Sequence, residues 1–205
     1  DEYPIHVLAA NGFAVLSFDR PDPWEIAATE GDYWARERAN WNWDEDDLWE
    51  RSSALSAIEY MIDELSSRGM IDPKRVGITG LSDGAETVWY AMMYSDYFAA
   101  AAASSGGWSP SIYYLIPGQM RRDFHQFAAG LSAPGYDNDE RWRKISPEFH
   151  ASTINTPILI QAPDSELLES APPHEALKDA GKPVEMYVFL NEYHVKFEPK
   201  HRDVV

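Results

Sequence analysis

Arg75-Val76-Gly77-Ile78-Thr79-Gly80-Leu81-Ser82-Asp83-Gly84, running on into Ala85 to Met93, is the stretch that decides the fold. Its first five residues read as a short strand, and Ala85 to Met93 has helical spacing. A Gly-x-Ser-x-Gly pentapeptide between a strand and a helix predicts a nucleophile elbow. Ser82 then sits in a strained turn at the carboxyl end of a central strand, with its hydroxyl pointing out of the sheet. Gly80 and Gly84 are expected because side chains there would collide with the neighbouring strand and helix. The turn also sets the Asp83 backbone N–H at a helix start, where it can donate to a developing oxyanion. A serine hydrolase follows, provided a histidine and an acid lie at suitable places downstream.

Outward from the elbow, apolar runs of strand length alternate with helical patterns. Phe13 to Phe18, Phe98 to Ala103, Pro157 to Ala162 and Val184 to Leu190 read as further strands, the first buried on both faces of a parallel sheet. Leu55, Ile58, Met61, Ile62 and Leu65 repeat at helical spacing, with Gly69 as the stop. His174 to Ala180 reads as a helix closed by Gly181, and Asn11-Gly12 ends a helix at the start of the chain. Asp19 to Trp49 is loop-like, and residues 108 to 150 have no clean period. Alternation of this kind indicates an α/β fold with a mostly parallel sheet flanked by helices. An α/β-hydrolase sheet has about eight strands, against five placed here. Residues 1 to 205 are therefore expected to be part of one α/β-hydrolase catalytic domain, without its first strands and final helix.

With 205 residues, 44% of them hydrophobic and 25% charged, the chain has the balance of a globular domain with a real core. A formal net charge of −17 argues against nucleic acid as a partner, since an acidic surface repels phosphate backbones. No cysteine is present, which excludes a thiolate nucleophile and cysteine metal sites and is compatible with cytoplasm or periplasm. No apolar run is long enough to span a bilayer. Neither cofactor nor metal is expected. Asp44-Glu45-Asp46-Asp47 lacks the glycine and ligand spacing of a calcium loop.

A serine hydroxyl needs a base, and in this fold the partners follow in the order Ser, acid, His. His194, in Asn191-Glu192-Tyr193-His194 after the last strand, stands where the base belongs, with His201 as the reserve. The acid belongs just past the Pro157–Ala162 strand, where Asp164 and Glu166 fit equally well by position. The plain alternative to the catalytic role is that one of them caps the following helix. The second oxyanion donor normally comes from a loop after an early strand, and no residue here takes that role.

The chain resembles the catalytic domain of the prolyl oligopeptidase family of serine peptidases. The resemblance lies in Asn11-Gly12-Phe13-Ala14-Val15, in Asp72-Pro73-Lys74-Arg75-Val76-Gly77-Ile78-Thr79-Gly80 and in Tyr193-His194-Val195-Lys196-Phe197. Two departures stand out. Ala85 replaces a common second glycine, and Gln161-Ala162-Pro163-Asp164-Ser165-Glu166 replaces a His-Gly loop carrying an Asp acid. Both departures are similar to the lasso peptide isopeptidases, a bacterial branch with the elbow Gly80-Leu81-Ser82-Asp83-Gly84-Ala85-Glu86 and Glu as acid. The resemblance implies a triad of Ser82, Glu166 and His194 and a β-propeller elsewhere in the same protein. It also implies hydrolysis of the isopeptide bond between a peptide's amino terminus and an Asp or Glu side chain, with a threaded lasso peptide as substrate. A peptidase on linear oligopeptides or an esterase would use the same residues, and a binding module would not need them. Trp24, Trp34, Trp41, Trp43 and Trp49 read mainly as packing residues, with a share in a substrate cleft as the alternative, and Arg121 and Arg122 as surface ion-pairing residues.

Overall fold

A computed structural model describes residues 5–18, 48–115 and 139–202. The acidic run 44–47, Trp24, Trp34, Trp41, Trp43, Arg121 and Arg122 lie outside these residues.

Four strands form one parallel sheet in sequential order: β1 (Gly77–Leu81), β2 (Ala100–Ser104), β3 (Ile158–Pro163) and β4 (Val184–Phe189). Leu81 stands opposite Ser104, Ser104 opposite Gln161 and Pro163 opposite Phe189. Because every strand runs the same way, all four carboxyl ends open on one edge of the sheet. That edge of an α/β sheet is where ligands bind.

The helices in chain order are α1 (Ile5–Ala10), α2 (Trp49–Ser67), α3 (Asp83–Tyr94), α4 (Pro110–Leu115), α5 (Asp139–Ile145), α6 (Leu167–Asp179) and α7 (Pro199–Arg202). Gly69, at φ +68°, ends α2 as the spacing predicts. Its N–H bonds to Ser66 O at 2.9 Å and that of Met70 to Leu65 O at 3.0 Å, the paired bonds of a Schellman stop. Along α3, Ala85, Val88, Trp89, Ala91 and Met92 are buried on one face. They pack over β1 and β2, where small residues (Ala101 and Ala103, both buried) leave room for the helix. Phe98, Ile154, Ile158, Ile160 and Leu177 complete this core, and Trp108, Trp142 and Ile145 form a smaller one.

Two sequence expectations are corrected. Phe13 to Phe18 is not a strand, and Phe13, Val15 and Leu16 are exposed. An apolar run becomes a strand only when a neighbour accepts its backbone hydrogen bonds. Among the described residues, β1 pairs with β2 and no strand pairs along this run. The helix expected from His174 begins seven residues earlier, at Leu167, and carries Pro172 and Pro173 inside it. Proline normally argues against a helix interior because its N–H is missing and its ring crowds the preceding turn. Here Pro173 is fully buried and Ser170 and Leu177 lie on the buried face, so packing overrides the local preference.

Candidate active site

The turn after β1 holds Ser82 at φ 58°, ψ −120°, a conformation that non-glycine residues rarely adopt. Its N–H bonds to Ser104 O at 2.9 Å, and its own carbonyl accepts from Ala85 N and Glu86 N, so β2 and the first turn of α3 fix it from both sides. Ser82 is the N-cap residue of α3 without using its side chain as the cap, and Asp83 is the first helical residue. A first-turn N–H has no acceptor within its own helix.

The glycines are needed for a reason that differs in part from the sequence expectation. A Cβ on Gly80 would lie 2.1 Å from Gly84 O, an impossible approach. A Cβ on Gly84 meets nothing within 4 Å, so the expected collision there does not occur. The crowding between the two is set by the Gly84 backbone. Gly106 is a second close approach: its Cβ would lie 2.5 Å from Ser82 O. No local pattern in the sequence singles out Gly106, because its contact with the elbow spans 24 positions of chain.

The acid turn follows β3. Asp164–Glu166 is a single 3₁₀ turn, and Glu166 is the N-cap residue of α6 with no side-chain capping bond. The side chains of Asp164 and Glu166 go different ways. Glu166 Oε1 lies 2.8 Å from His194 Nδ1, whereas Asp164 Oδ2 accepts from Asn191 N at 3.0 Å. A carboxylate only accepts, so Nδ1 carries the hydrogen and His194 Nε2 is left as a proton acceptor. The Glu166 side chain is 18% exposed and that of His194 48%, which puts the imidazole at the mouth of the site. His201 does not share this position; its Nδ1 lies 2.7 Å from Glu192 Oε1.

Glu192 organises the loop that carries His194. It is 2% exposed and accepts from Phe197 N at 2.9 Å and Glu198 N at 2.8 Å, besides the His201 ring. Burial opposes its charge, but the Phe197 N–H, the His201 ring and the Glu198 N–H outweigh it and hold the carboxyl at about 2. A depressed carboxyl stabilises the fold in full above its ordinary value of 4.5 and loses that contribution as pH falls toward about 2. Glu192→Gln is therefore expected to lower the Tm of the intact protein at pH 7, with the gap to wild type closing as pH falls from 4.5 toward 2. Thermal denaturation across that range checks it, and a gap independent of pH contradicts it.

Lys196, 9% exposed, ties β2 to β3 near the carboxyl edge of the sheet. Its Nζ donates to Ser104 Oγ, to Ser105 Oγ at 3.0 Å and to Gln161 O at 3.2 Å, and lies 5.8 Å from the Phe189 ring centroid. Ser105 Oγ in turn donates to His194 O at 3.0 Å. Ser104 thus serves both the Ser82 backbone and Lys196, and the elbow and histidine loop are fastened to the same strand end. Ser82, Ser105 and Asn191, the non-glycine residues with positive φ among those described, all lie along this one edge. Strain gathered in this way makes this edge the candidate functional site. No group of three or more metal-ligating side chains stands together among the described residues.

A parallel sheet with a serine elbow at its carboxyl edge, followed in order by an acid turn and a histidine loop, defines an α/β-hydrolase. Residues 39–204 match the model of the prolyl oligopeptidase family, and the chain belongs to that family. It is 39% identical to the lasso peptide isopeptidase AtxE2 of Asticcacaulis excentricus, over 98% of this chain and 28% of that protein. The chain thus spans under a third of the length of this relative. The apo structure of AtxE2 isopeptidase superposes with a TM-score of 0.82 at 37% identity, over 95% of this chain and 29% of that one. A serine-to-alanine variant of it with Astexin3-dC4 bound gives 0.81 at 37% identity, over 98% and 30%. The acylaminoacyl peptidase of Pyrococcus horikoshii gives 0.60 at 25% identity, over 74% and 26%.

Proposed function

We propose that this chain carries the catalytic centre of a serine isopeptidase that opens the macrolactam ring of lasso peptides. The observation that carries the reading is the Glu166–His194 contact of 2.8 Å on the same strand edge that holds Ser82 at positive φ. The likeness to AtxE2 along nearly the whole chain supports the substrate class.

In this reading His194 Nε2 takes the proton of Ser82 Oγ as that oxygen attacks the side-chain carbonyl of the substrate's Asp or Glu. Glu166 holds the Nδ1–H tautomer and stabilises the imidazolium. The Asp83 N–H donates to the oxyanion of the tetrahedral intermediate. Collapse breaks the C–N bond, the proton passes from His194 to the leaving amine, and that amine is the substrate's own amino terminus. Water, deprotonated by His194, then attacks the Ser82 ester; the carboxylate leaves and Ser82 recovers its proton. The net change is addition of one water and loss of one ring bond. The triad treats side-chain and main-chain amides alike, so selection falls to the pocket and to a β-propeller in the same protein that would govern access.

Incubating a threaded lasso peptide with the intact protein tests this by mass spectrometry. A gain of one water, with fragmentation showing a freed amino terminus, is the expected result. Cleavage of linear peptides with no ring opening across a panel of lasso peptides would overturn it. That outcome would leave the second reading, an oligopeptidase, which the likeness to acylaminoacyl peptidase favours.

A further inference from the structure

An aspartate directly after the nucleophile places a negative charge on the residue whose N–H serves the oxyanion in the reading above. In isolation that charge opposes the reaction, because a carboxylate near a developing anion raises its energy. The structure answers it from another helix. Arg51, in the first turn of α2, spans 32 positions of chain to reach Asp83. Its Nη2 pairs with Asp83 Oδ1 and, at 2.8 Å, with Glu86 Oε2. Its Nη1 donates to Asp83 O at 3.1 Å and to Thr87 Oγ1 at 2.9 Å. Thr87 Oγ1 itself donates to Asp83 O at 3.2 Å. The Arg51 side chain is only 12% exposed, and that of Glu86 14%.

We propose that Arg51 is a positioning residue for the oxyanion site: it offsets the charge of the Asp83 carboxylate and pins the Asp83 residue through its carbonyl. Two features support the assignment. The guanidinium uses both terminal nitrogens as a planar fork, a geometry that lysine does not offer. One arm grips the side chain of Asp83 and the other its main chain, so rotation of Asp83 about its backbone is opposed at two points. Glu86 and Thr87 complete the cradle one turn further along α3, which keeps the fork aligned with the helix start. The negative side chain remains useful there, since it complements the positive end of α3, while the guanidinium it shares with Glu86 offsets part of its field at the oxyanion.

This rests on Ser82 being the nucleophile, and the test separates the two claims. Labelling of Ser82 by a serine-directed fluorophosphonate is timed in the intact wild-type protein, in Arg51→Met and in Arg51→Met/Asp83→Asn, with ring-opening kcat and KM measured in parallel. Wild-type labelling at Ser82 establishes the nucleophile independently of Arg51. Arg51→Met is expected to label and turn over about 10- to 100-fold more slowly, on the scale of damage to one oxyanion donor, with KM little changed. Adding Asp83→Asn is expected to recover about tenfold or more of that loss, which a merely structural role of Arg51 would not allow. Labelling of Arg51→Met at the wild-type rate overturns the proposal, and so does a loss that Asp83→Asn fails to relieve. If Arg51→Met does not fold, Arg51→Lys keeps a charge while removing the fork. A labelling rate at least threefold below wild type is then expected, on the same reasoning, and an unchanged rate overturns the proposal.

Discussion

Ser82→Ala is expected to abolish ring opening, with kcat falling by about a millionfold if Ser82 and His194 work as one unit. The substituted protein should still bind peptide, since the hydroxyl is lost and the turn is kept. The elbow is held by backbone contacts: Ser82 N to Ser104 O, Ala85 N and Glu86 N to Ser82 O, and the close packing of Gly80 and Gly106 against it. None of these uses the Ser82 side chain. The φ of 58° is as unfavourable for alanine as for serine, so the strain stays in place. Ser82→Gly relieves it and should be more stable than Ser82→Ala by about 1–3 kcal/mol. Single-turnover hydrolysis, peptide binding and thermal denaturation of the two variants together check this. Hydrolysis retained in Ser82→Ala would remove the serine mechanism altogether.

Glu166→Gln is expected to cost about 10⁴-fold in kcat with KM little changed. The amide can turn its NH₂ toward Nδ1, which then must accept, and the hydrogen moves to Nε2, where the Ser82 proton has to go. The imidazolium also loses its anionic partner. Asp164→Asn is expected to cost less than about tenfold, because that side chain accepts from Asn191 N and can do so as an amide. Kinetics on the two variants separate the roles cleanly. A larger loss in Asp164→Asn would transfer the acid role to Asp164.

The elbow was legible because its signals are local. A strand, two glycines about a serine and a helical pattern fall within 20 residues, and each is a statement about φ, steric space or periodicity. Gly69 and Gly181 were legible as helix stops for the same reason. Phe13 to Phe18 shows the limit of such signals: its composition asks for burial on two faces, but composition does not supply the neighbouring strand. Pro172 and Pro173 show the opposite failure, where a strong local rule yields to the packing of α6.

The candidate site divides along the same line. The order of serine, acid and histidine, and their positions past successive strand ends, follow from a parallel sheet whose carboxyl ends share one edge. Position leaves Asp164 and Glu166 equal, because both lie in one turn and differ only in which way the side chain leaves it; the family resemblance alone pointed to Glu166. That choice is made where the loop from Asn191 to Glu198 folds back on the acid turn, with Asn191 N taking Asp164 and His194 taking Glu166. The supports of the site, Arg51, Gly106, Glu192 and Lys196, carried no signal of their own. An arginine in a helix, a glycine after a strand and a charged pair in a loop are ordinary residues until contacts spanning up to 92 positions bring them together. The sequence by itself determined the strand–turn–helix around Ser82, the layered α/β arrangement and the order in which the candidate residues follow the strand ends, since these rest on backbone preference and period. The tertiary structure brought Glu166, the acid the resemblance had named, to the histidine and decided what holds the turn at Asp83, since these rest on hydrogen bonds between elements far apart in the chain.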